Sequence, residues 1–430
     1  MNSRTDTLIR ARLDNGLTVL MRPWHRAPVV SFWVWYRVGS RNEEPGMTGA
    51  SHWVEHMLFR GTPQFPGDMV HRLIAREGGI RNGMTSYDFT CYFETLPADR
   101  IDLALRIEAD RMVNAQFAPE DVEAERTIIL AERAGRENQP TSRLHEAVER
   151  TAFQVHSYGH PVIGWREDLE RMTREMLYAH YRAYYAPDNA VISIAGDFEP
   201  AVMQVRVSDL FGSIPPAHTR PKEPLPEPPR CAMERVYVTG QERTSYIEIA
   251  FPAPSAIHPD YFPMVVLQAI LGGAAPMTLF GGGGAALFRS ARLYRALVER
   301  ELAARTGCSL RPSIDSHLFL VFAAVRQGVA PQAVENALWA EIDRICQEPV
   351  MQAELAKALR QVRAQFAYSS ESVTNQAFWL GYSEVIASAE WFLGFTDALA
   401  GVTAADVQRV AQTYLQRDQA VVGWYVPNES

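Results

Sequence analysis

Two stretches of this 430-residue chain echo one another. "YYAPDNAVISIAGDF" begins at Tyr184 and "YLQRDQAVVGWYVP" at Tyr414, and they keep Tyr, Asp, Ala and Val in register across 230 positions. Each follows a helical pattern and opens an apolar, β-branched run of strand type. Midway between them residues 214–229, "IPPAHTRPKEPLPEPP", are dense in proline and read as an extended linker. An echo on either side of a linker constrains the fold to a duplication. The expectation is an α+β chain of two homologous α/β halves, residues 1–213 and 231–430, joined by a proline-rich linker over 214–230.

The two sides share an alternation of strands and helices. Before the linker, "LDNGLTVLMRP" is a hairpin turned at Asn15-Gly16 and "VVSFWVWYRVGS" is a strand. "DMVHRLIAREGG" is a helix stopped at Gly78-Gly79. "TSYDFTCYFETL" alternates, with Tyr87, Phe89, Cys91 and Phe93 on one side. "RIDLALRIEADRMVNAQF" and "PEDVEAERTIILAERAGREN" are amphipathic helices, the second opened by Pro119. After the linker come strands around 234–252, a helix at "HPDYFPMVVLQAILGG", another through "ARLYRALVERELAAR", and the strand "SHLFLVFAAV".

Bulk properties exclude several classes. A formal charge of −8 with no block of like charge argues against a nucleic-acid partner. No run approaches the roughly 20 apolar residues of a membrane helix. Cys91, Cys231, Cys308 and Cys346 are widely spaced and read as buried free thiols of a reducing compartment. Arg10, Arg12, Asp14 and Asn15 interrupt any leader-like apolar core near the N-terminus. The expected location is cytoplasmic, or periplasmic if a leader precedes this sequence.

The chemistry concentrates in "SHWVEHMLFRGT", residues 51–62. Residues three and four apart share a helix face, so His52, Glu55 and His56 project together. Two imidazoles at this spacing can hold one zinc ion at about 2.0–2.1 Å each, given a third ligand and an open fourth position. Glu55 would then stand beside a water as general base, which is the chemistry of amide hydrolysis. The same letters also suit the buried face of an ordinary helix, since Trp53, Val54, Met57, Leu58 and Phe59 are apolar. Several acids on the later helix, Glu123, Glu125, Glu132 and Glu137, are candidates for the third ligand, and spacing alone does not choose among them.

The stretch "GSRNEEPGMTGASHWVEHMLFRGT" closely resembles the pitrilysin, insulinase and mitochondrial processing peptidase family in its short bacterial branch. The resemblance continues through "EGGIRNGMTSYDFTCYFETLP", "EAERTIILAER" and "HSYGHPVIGWREDLERMTREMLYAHYRAYYAPDNAVISIAGDF". It implies a zinc endopeptidase of inverted H-x-x-E-H type. One zinc per chain would be bound by His52, His56 and Glu132, with Glu55 as base and Glu125 supporting a ligand imidazole. It also implies that Asn82 and Gly83 lie on an edge strand that pairs with an unfolded peptide inside a chamber. Gly83 stands where the family often has alanine.

The second half departs from the family. An arginine and a tyrosine seven residues apart are expected there to bind the substrate carbonyl, but Val298 and Arg305 occupy those positions. The resemblance is therefore to the zinc-bearing member of a two-chain enzyme, and a homologous partner lacking H-x-x-E-H is expected in a heterodimer. Gly281 to Gly284 lack the Gly-Lys-Ser/Thr of a phosphate loop and resemble the glycine-rich loop of the non-zinc subunit of mitochondrial processing peptidase. His156 and His160 sit in a turn and are assigned no metal. The rival expectations are a non-catalytic core subunit and a peptide-binding subunit of the same fold.

Overall fold

The computed structural model describes residues 8–277 and 289–428. Gly281 to Gly284 lie outside the described residues. The strand-forming runs before the linker build one sheet from β1 (Ile9–Arg12), β2 (Thr18–Pro23), β3 (Val29–Tyr36), β4 (Ile80–Thr85), β5 (Thr90–Pro97) and β6 (Ala190–Gly196). Its order is β1-β2-β6-β3-β5-β4. Those after the linker build a second sheet from β7 (Glu234–Gly240), β8 (Tyr246–Ala253), β9 (Ala303–Leu310), β10 (His317–Val325) and β11 (Val421–Pro427), ordered β7-β11-β8-β10-β9.

Without β1 the two orders coincide strand for strand. The parallel pair also falls at the same place, β2 with β6 and β7 with β11. The echo in the sequence maps onto equivalent strands, each preceded by a helix ending in tyrosine and a short 3-10 turn, at Pro187–Asn189 and Arg417–Gln419. The chain is a structural duplication.

Helices of the first half are α1 (Ala50–Leu58), α2 (Gly67–Arg76), α3 (Asp102–Asn114), α4 (Pro119–Glu137), α5 (Pro140–Ala152), α6 (Arg166–Arg171), α7 (Arg174–Tyr184) and α8 (Pro200–Phe211). Those of the second are α9 (Tyr261–Leu271), α10 (Pro331–Gln347), α11 (Gln352–Ser369), α12 (Val373–Ile386), α13 (Ala389–Leu393), α14 (Phe395–Ala400) and α15 (Ala404–Tyr414). Proline opens α4, α5, α8 and α10, where its missing N–H costs no helical bond. Thr403 and Asp406 form a capping box on α15.

Packing divides the chain into two compact units that each borrow from the other half of the sequence. One comprises Met1–Ala134, His160–Leu225 and Ser370–Phe392; the other comprises Gly135–Gly159, Pro226–Ser369 and Leu393–Ser430. In the first unit α12 lies on β3 and β6. Trp33 stacks on Phe93 at 4.1 Å and meets Phe378 of α12 edge-on at 5.5 Å. The opposite face, including Phe32, Val34 and Tyr36, belongs to the main core with Trp53, Val54 and Met57 of α1. Both faces of β3 are covered, which is why its sequence is apolar throughout rather than alternating. In the second unit α5 covers β7, β8 and β11 in the corresponding manner.

Two local expectations need correction. The helix expected through 291–305 stops early: a π-helical turn covers Tyr294–Val298, Glu301 takes a left-handed φ of 60°, and Ala303–Leu310 is β9. Helix propensity yields here to pairing with β10, which completes the sheet. The four cysteines are free, but Cys231 is exposed and only Cys91 is fully buried.

Candidate metal centre

The site begins with how α1 is started. Gly49 precedes the helix at φ 90°, and a Cβ there would lie 2.4 Å from the Ile163 carbonyl oxygen, so only glycine fits. Glu43 accepts hydrogen bonds from the Gly49 and Ser51 N–H groups, both at 2.7 Å. A buried carboxylate thus satisfies open donors at the helix start and complements its dipole. Burial pushes the Glu43 carboxyl up from its usual range, opposed by His160 and by these donors. This fixes the angle at which α1 carries His52, Glu55 and His56.

Nε2 of His52 lies 3.9 Å from Glu132 Oε2, and Nε2 of His56 lies 3.7 Å from the same oxygen. One ligand atom from each of the three residues falls within 4.8 Å of the others, the one such group among the described residues. Bonds of about 2.0–2.2 Å at tetrahedral angles separate ligand atoms by about 3.4 Å. The two sides that meet at Glu132 are within about half an ångström of that spacing and the third is no longer than 4.8 Å, so the donor set fits a zinc ion after an inward movement of the side chains. The histidine side chains are 14 % and 19 % exposed and that of Glu132 is 45 % exposed, so one side stays open for a further ligand.

Glu125 lies on α4 two turns before Glu132 and holds the back of the site. Its Oε2 is 2.8 Å from His56 Nδ1, and its Oε1 accepts from Arg60 Nε at 2.6 Å. A proton held on Nδ1 leaves Nε2 as the ligand atom facing Glu132. Burial alone would raise the Glu125 carboxyl, but its contacts with His56 and Arg60 hold it below the usual range. Burial would likewise lower His56, yet the Glu125 hydrogen bond and the charges of Glu125, Glu132 and Glu55 raise it. A field that favours a proton there also favours a cation.

Glu55 is buried, and its Oε2 accepts a hydrogen bond from Thr85 Oγ1 at 2.6 Å. Burial raises its carboxyl, the Thr85 hydrogen bond and His56 oppose that, and Glu132 reinforces it. A carboxylate raised above its ordinary range holds a proton more readily, which suits taking and returning one.

Thr85 ends β4, the outermost strand of the first sheet, so the strand expected to carry Asn82 and Gly83 does lie at an edge and reaches the site. Asn82 itself is exposed, and its Oδ1 accepts from the Gly83 N–H at 3.0 Å. A Cβ on Gly83 would lie 2.9 Å from the tip of the Phe59 ring, so its small size serves packing. In the second half Arg305 is exposed on β9, also an edge strand, and Val298 closes the π-helical turn. Sequence reasoning missed Thr85, Arg60 and Glu43. Of these, Arg60 carried a signal, standing one helical turn beyond His56.

This fold, with the His52–His56–Glu132 triangle on one of two duplicated units, is that of a metallopeptidase family. Residues 18–165 match the sequence model described as insulinase (peptidase family M16), and residues 171–362 match that of the peptidase M16 inactive domain. The chain belongs to peptidase family M16. It is 27% identical over 441 residues to an uncharacterized zinc protease of Streptomyces coelicolor, covering 96% of this chain and 91% of that one. It is 25% identical over 424 residues to the zinc protease PqqE of Helicobacter pylori, covering 96% and 92%. The crystal structure of a protease from Helicobacter pylori shares the fold at a TM-score of 0.92, with 24% identity over 98% of this chain and 100% of that one. No helix among the described residues is long and apolar enough to cross a membrane.

Proposed function

We propose that the chain is the zinc-bearing subunit of a metalloendopeptidase that hydrolyses unfolded peptides. The observation that carries this reading is the triangle of His52, His56 and Glu132 with the buried Glu55 carboxylate on the same helix face. Zinc held there supplies Lewis acidity, which makes a water easier to deprotonate and a carbonyl easier to attack. The free edge of β4 takes an extended peptide through main-chain hydrogen bonds, which accept varied sequences. Glu55, oriented by Thr85, removes a proton from the attacking water as its oxygen bonds to the carbonyl carbon. Glu55 then gives that proton to the amide nitrogen as the C–N bond breaks and returns to its carboxylate form. Glu125, steadied by Arg60, keeps the His56 ring turned towards the triangle.

Val298 and Arg305 offer no arginine–tyrosine pair at the positions where the family carries one, so a homologous partner chain lacking H-x-x-E-H supplies it in a heterodimer. The cytoplasm is the proposed location. The test is hydrolysis of an unstructured quenched peptide by the zinc-loaded chain, alone and with such a partner, with Glu55→Gln as the blank. Glu55-dependent turnover that needs the partner supports the whole reading, and turnover by the chain alone removes the partner. The same two positions, together with the match of the second half to an inactive domain, favour one other reading: peptide capture without cleavage. Retained peptide binding with no turnover even beside the partner would establish it.

A further inference from the structure

One charged group on the peptide-pairing strand has no part in the zinc-site reading. Arg81 stands on β4 opposite Glu94 of β5, and its guanidinium lies 4.9 Å from the centre of the Phe59 ring. Its Nε is buried without a hydrogen-bond partner, and it makes no ion pair among the described residues.

The acids near Arg81 are committed elsewhere. Glu108 lies 3.0 Å and Glu94 3.6 Å from the same Arg111 nitrogen, and all three side chains are at most 3 % exposed. Burial, reinforced by Glu108, pushes the Glu94 carboxyl well above its usual range, against the opposing charges of Arg111 and Arg81. Both acids pair with Arg111, and their charges reach Arg81 only at longer range, leaving its guanidinium without a direct carboxylate partner among the described residues. Burial and the nearby Arg111 charge accordingly pull its own guanidinium down from the ordinary value, although arginine stays charged.

Arg81 lines a cavity of about 570 Å³ together with Phe59, Arg60, Glu125 and the start of α2. Glu125 also holds His56, so the cavity shares a wall with the candidate metal centre. Arg60 is not free to take a ligand, being bound to Glu125 at 2.6 Å and lying 3.8 Å from Asp121. Asp68, His71 and Asp121 complete the wall: the first two stand on exposed positions of α2, where solvent screens their charge more than it does the half-buried Arg81, and Asp121 faces Arg60. An extended peptide on β4 sends alternate side chains to opposite faces of the sheet.

We propose that Arg81 makes this cavity a subsite for an acidic side chain of the bound peptide. The guanidinium offers a carboxylate two parallel N–H donors, and the Phe59 ring receives the methylene stem. The family's edge-strand pairing is indifferent to sequence; this subsite adds a charge preference to it. The inference rests on the peptidase reading, because it assumes that a peptide lies along β4.

The experiment is fluorescence anisotropy with labelled unstructured peptides, in which a single Glu, Gln or Lys is walked along one neutral sequence. The protein is the full chain, zinc-loaded and carrying Glu55→Gln so that nothing is cleaved. At one position Glu should bind about tenfold or more tighter than Gln, with Lys weakest. Arg81→Gln should bring the Glu-to-Gln ratio to about one. Arg81→Glu should turn the preference to Lys, which a misfolded chain cannot do. A chain with no position favouring Glu, or an unchanged preference in Arg81→Gln, overturns the proposal. Failure of the Glu55 chain to cleave, with this binding preference intact, would count against the peptidase reading alone.

Discussion

The two halves share a strand order yet treat their equivalent helices oppositely. α1 follows β3 and carries His52, Glu55 and His56 on one face. α9 follows β8, reads "YFPMVVLQAIL", and buries all but two of its eleven residues. α4 supplies Glu125 and Glu132, whereas aligning the starts of α4 and α11 places Ala358 and Gln365 at those turns. Among the described residues, one fold, used twice, brings a metal-binding donor set together once. The difference lies in a few side chains rather than in the frame, so the chemistry must be argued from the site.

That comparison can be broken most directly by making α1 more like α9. In His56→Leu the triangle loses one corner and the imidazole that Glu125 orients. Zinc should fall from about one per chain to background by metal analysis, with peptide turnover lost alongside it. The melting temperature should change little, because the apolar replacement sits on a helix already packed by Trp53, Val54 and Met57. Zinc retained at full stoichiometry would mean that the metal, if any, lies elsewhere.

A smaller effect is expected behind the site. Glu125→Gln keeps the side chain's shape but gives up the charge shared by His56 and Arg60. Zinc affinity should weaken by about 10–100-fold, measured by competition with a chelator. An unchanged affinity would reduce Glu125 to a structural ion-pair partner of Arg60.

Smaller again is the effect of Thr85→Val, which removes the hydroxyl that donates to Glu55 at 2.6 Å. That hydrogen bond lowers the Glu55 carboxyl against the upward push of burial, so its loss moves the group further up. The acid limb of the pH–rate profile should shift to higher pH relative to the parent, with turnover at neutral pH reduced several-fold. A limb that stays in place would separate Thr85 from the base.

The duplication was legible because its signals are local. Tyr184 and Tyr414 each end a helix, and the strand that follows needs only β-branched residues in order. The H-x-x-E-H spacing was legible for the same reason: one helix sets all three side chains. Glu132 was not, since several acids on α4 share its chemistry and only the resemblance chose among them. The exchange of α5 and α12 between units left no local trace, because the partner surface of Phe378 is built from Trp33 and Phe93, hundreds of residues earlier. Thr85 and Glu43 act through loops and strand ends that periodicity does not address. The helix expected through Arg305 failed where sheet completion outweighed propensity.

The smallest effect belongs to a histidine of the second unit that resembles His56 and does different work. His145 on α5 lies between two glutamates, with Nε2 at 3.2 Å from Glu149 and Nδ1 at 2.9 Å from Glu248. His56 meets only Glu125 at hydrogen-bond distance and leaves Nε2 spaced from Glu132 for a cation. His145 engages a carboxylate with each nitrogen, which suits a doubly protonated ring and leaves no ligand atom. Burial would lower it, but Glu149 and Glu248 together raise it well above its ordinary value. A histidine raised in the folded state stabilises fully below its unfolded pKa of about 6.5, and that contribution is lost as pH rises through the folded value. The parent should therefore lose melting temperature on going from about pH 6.5 into the alkaline range. His145→Gln should be less stable at pH 6, by on the order of 1 kcal/mol of unfolding free energy, and show a flatter slope over the same window. Parallel slopes in the two proteins would mean that the ring is neutral when folded, and that the two histidines differ less than their partners suggest.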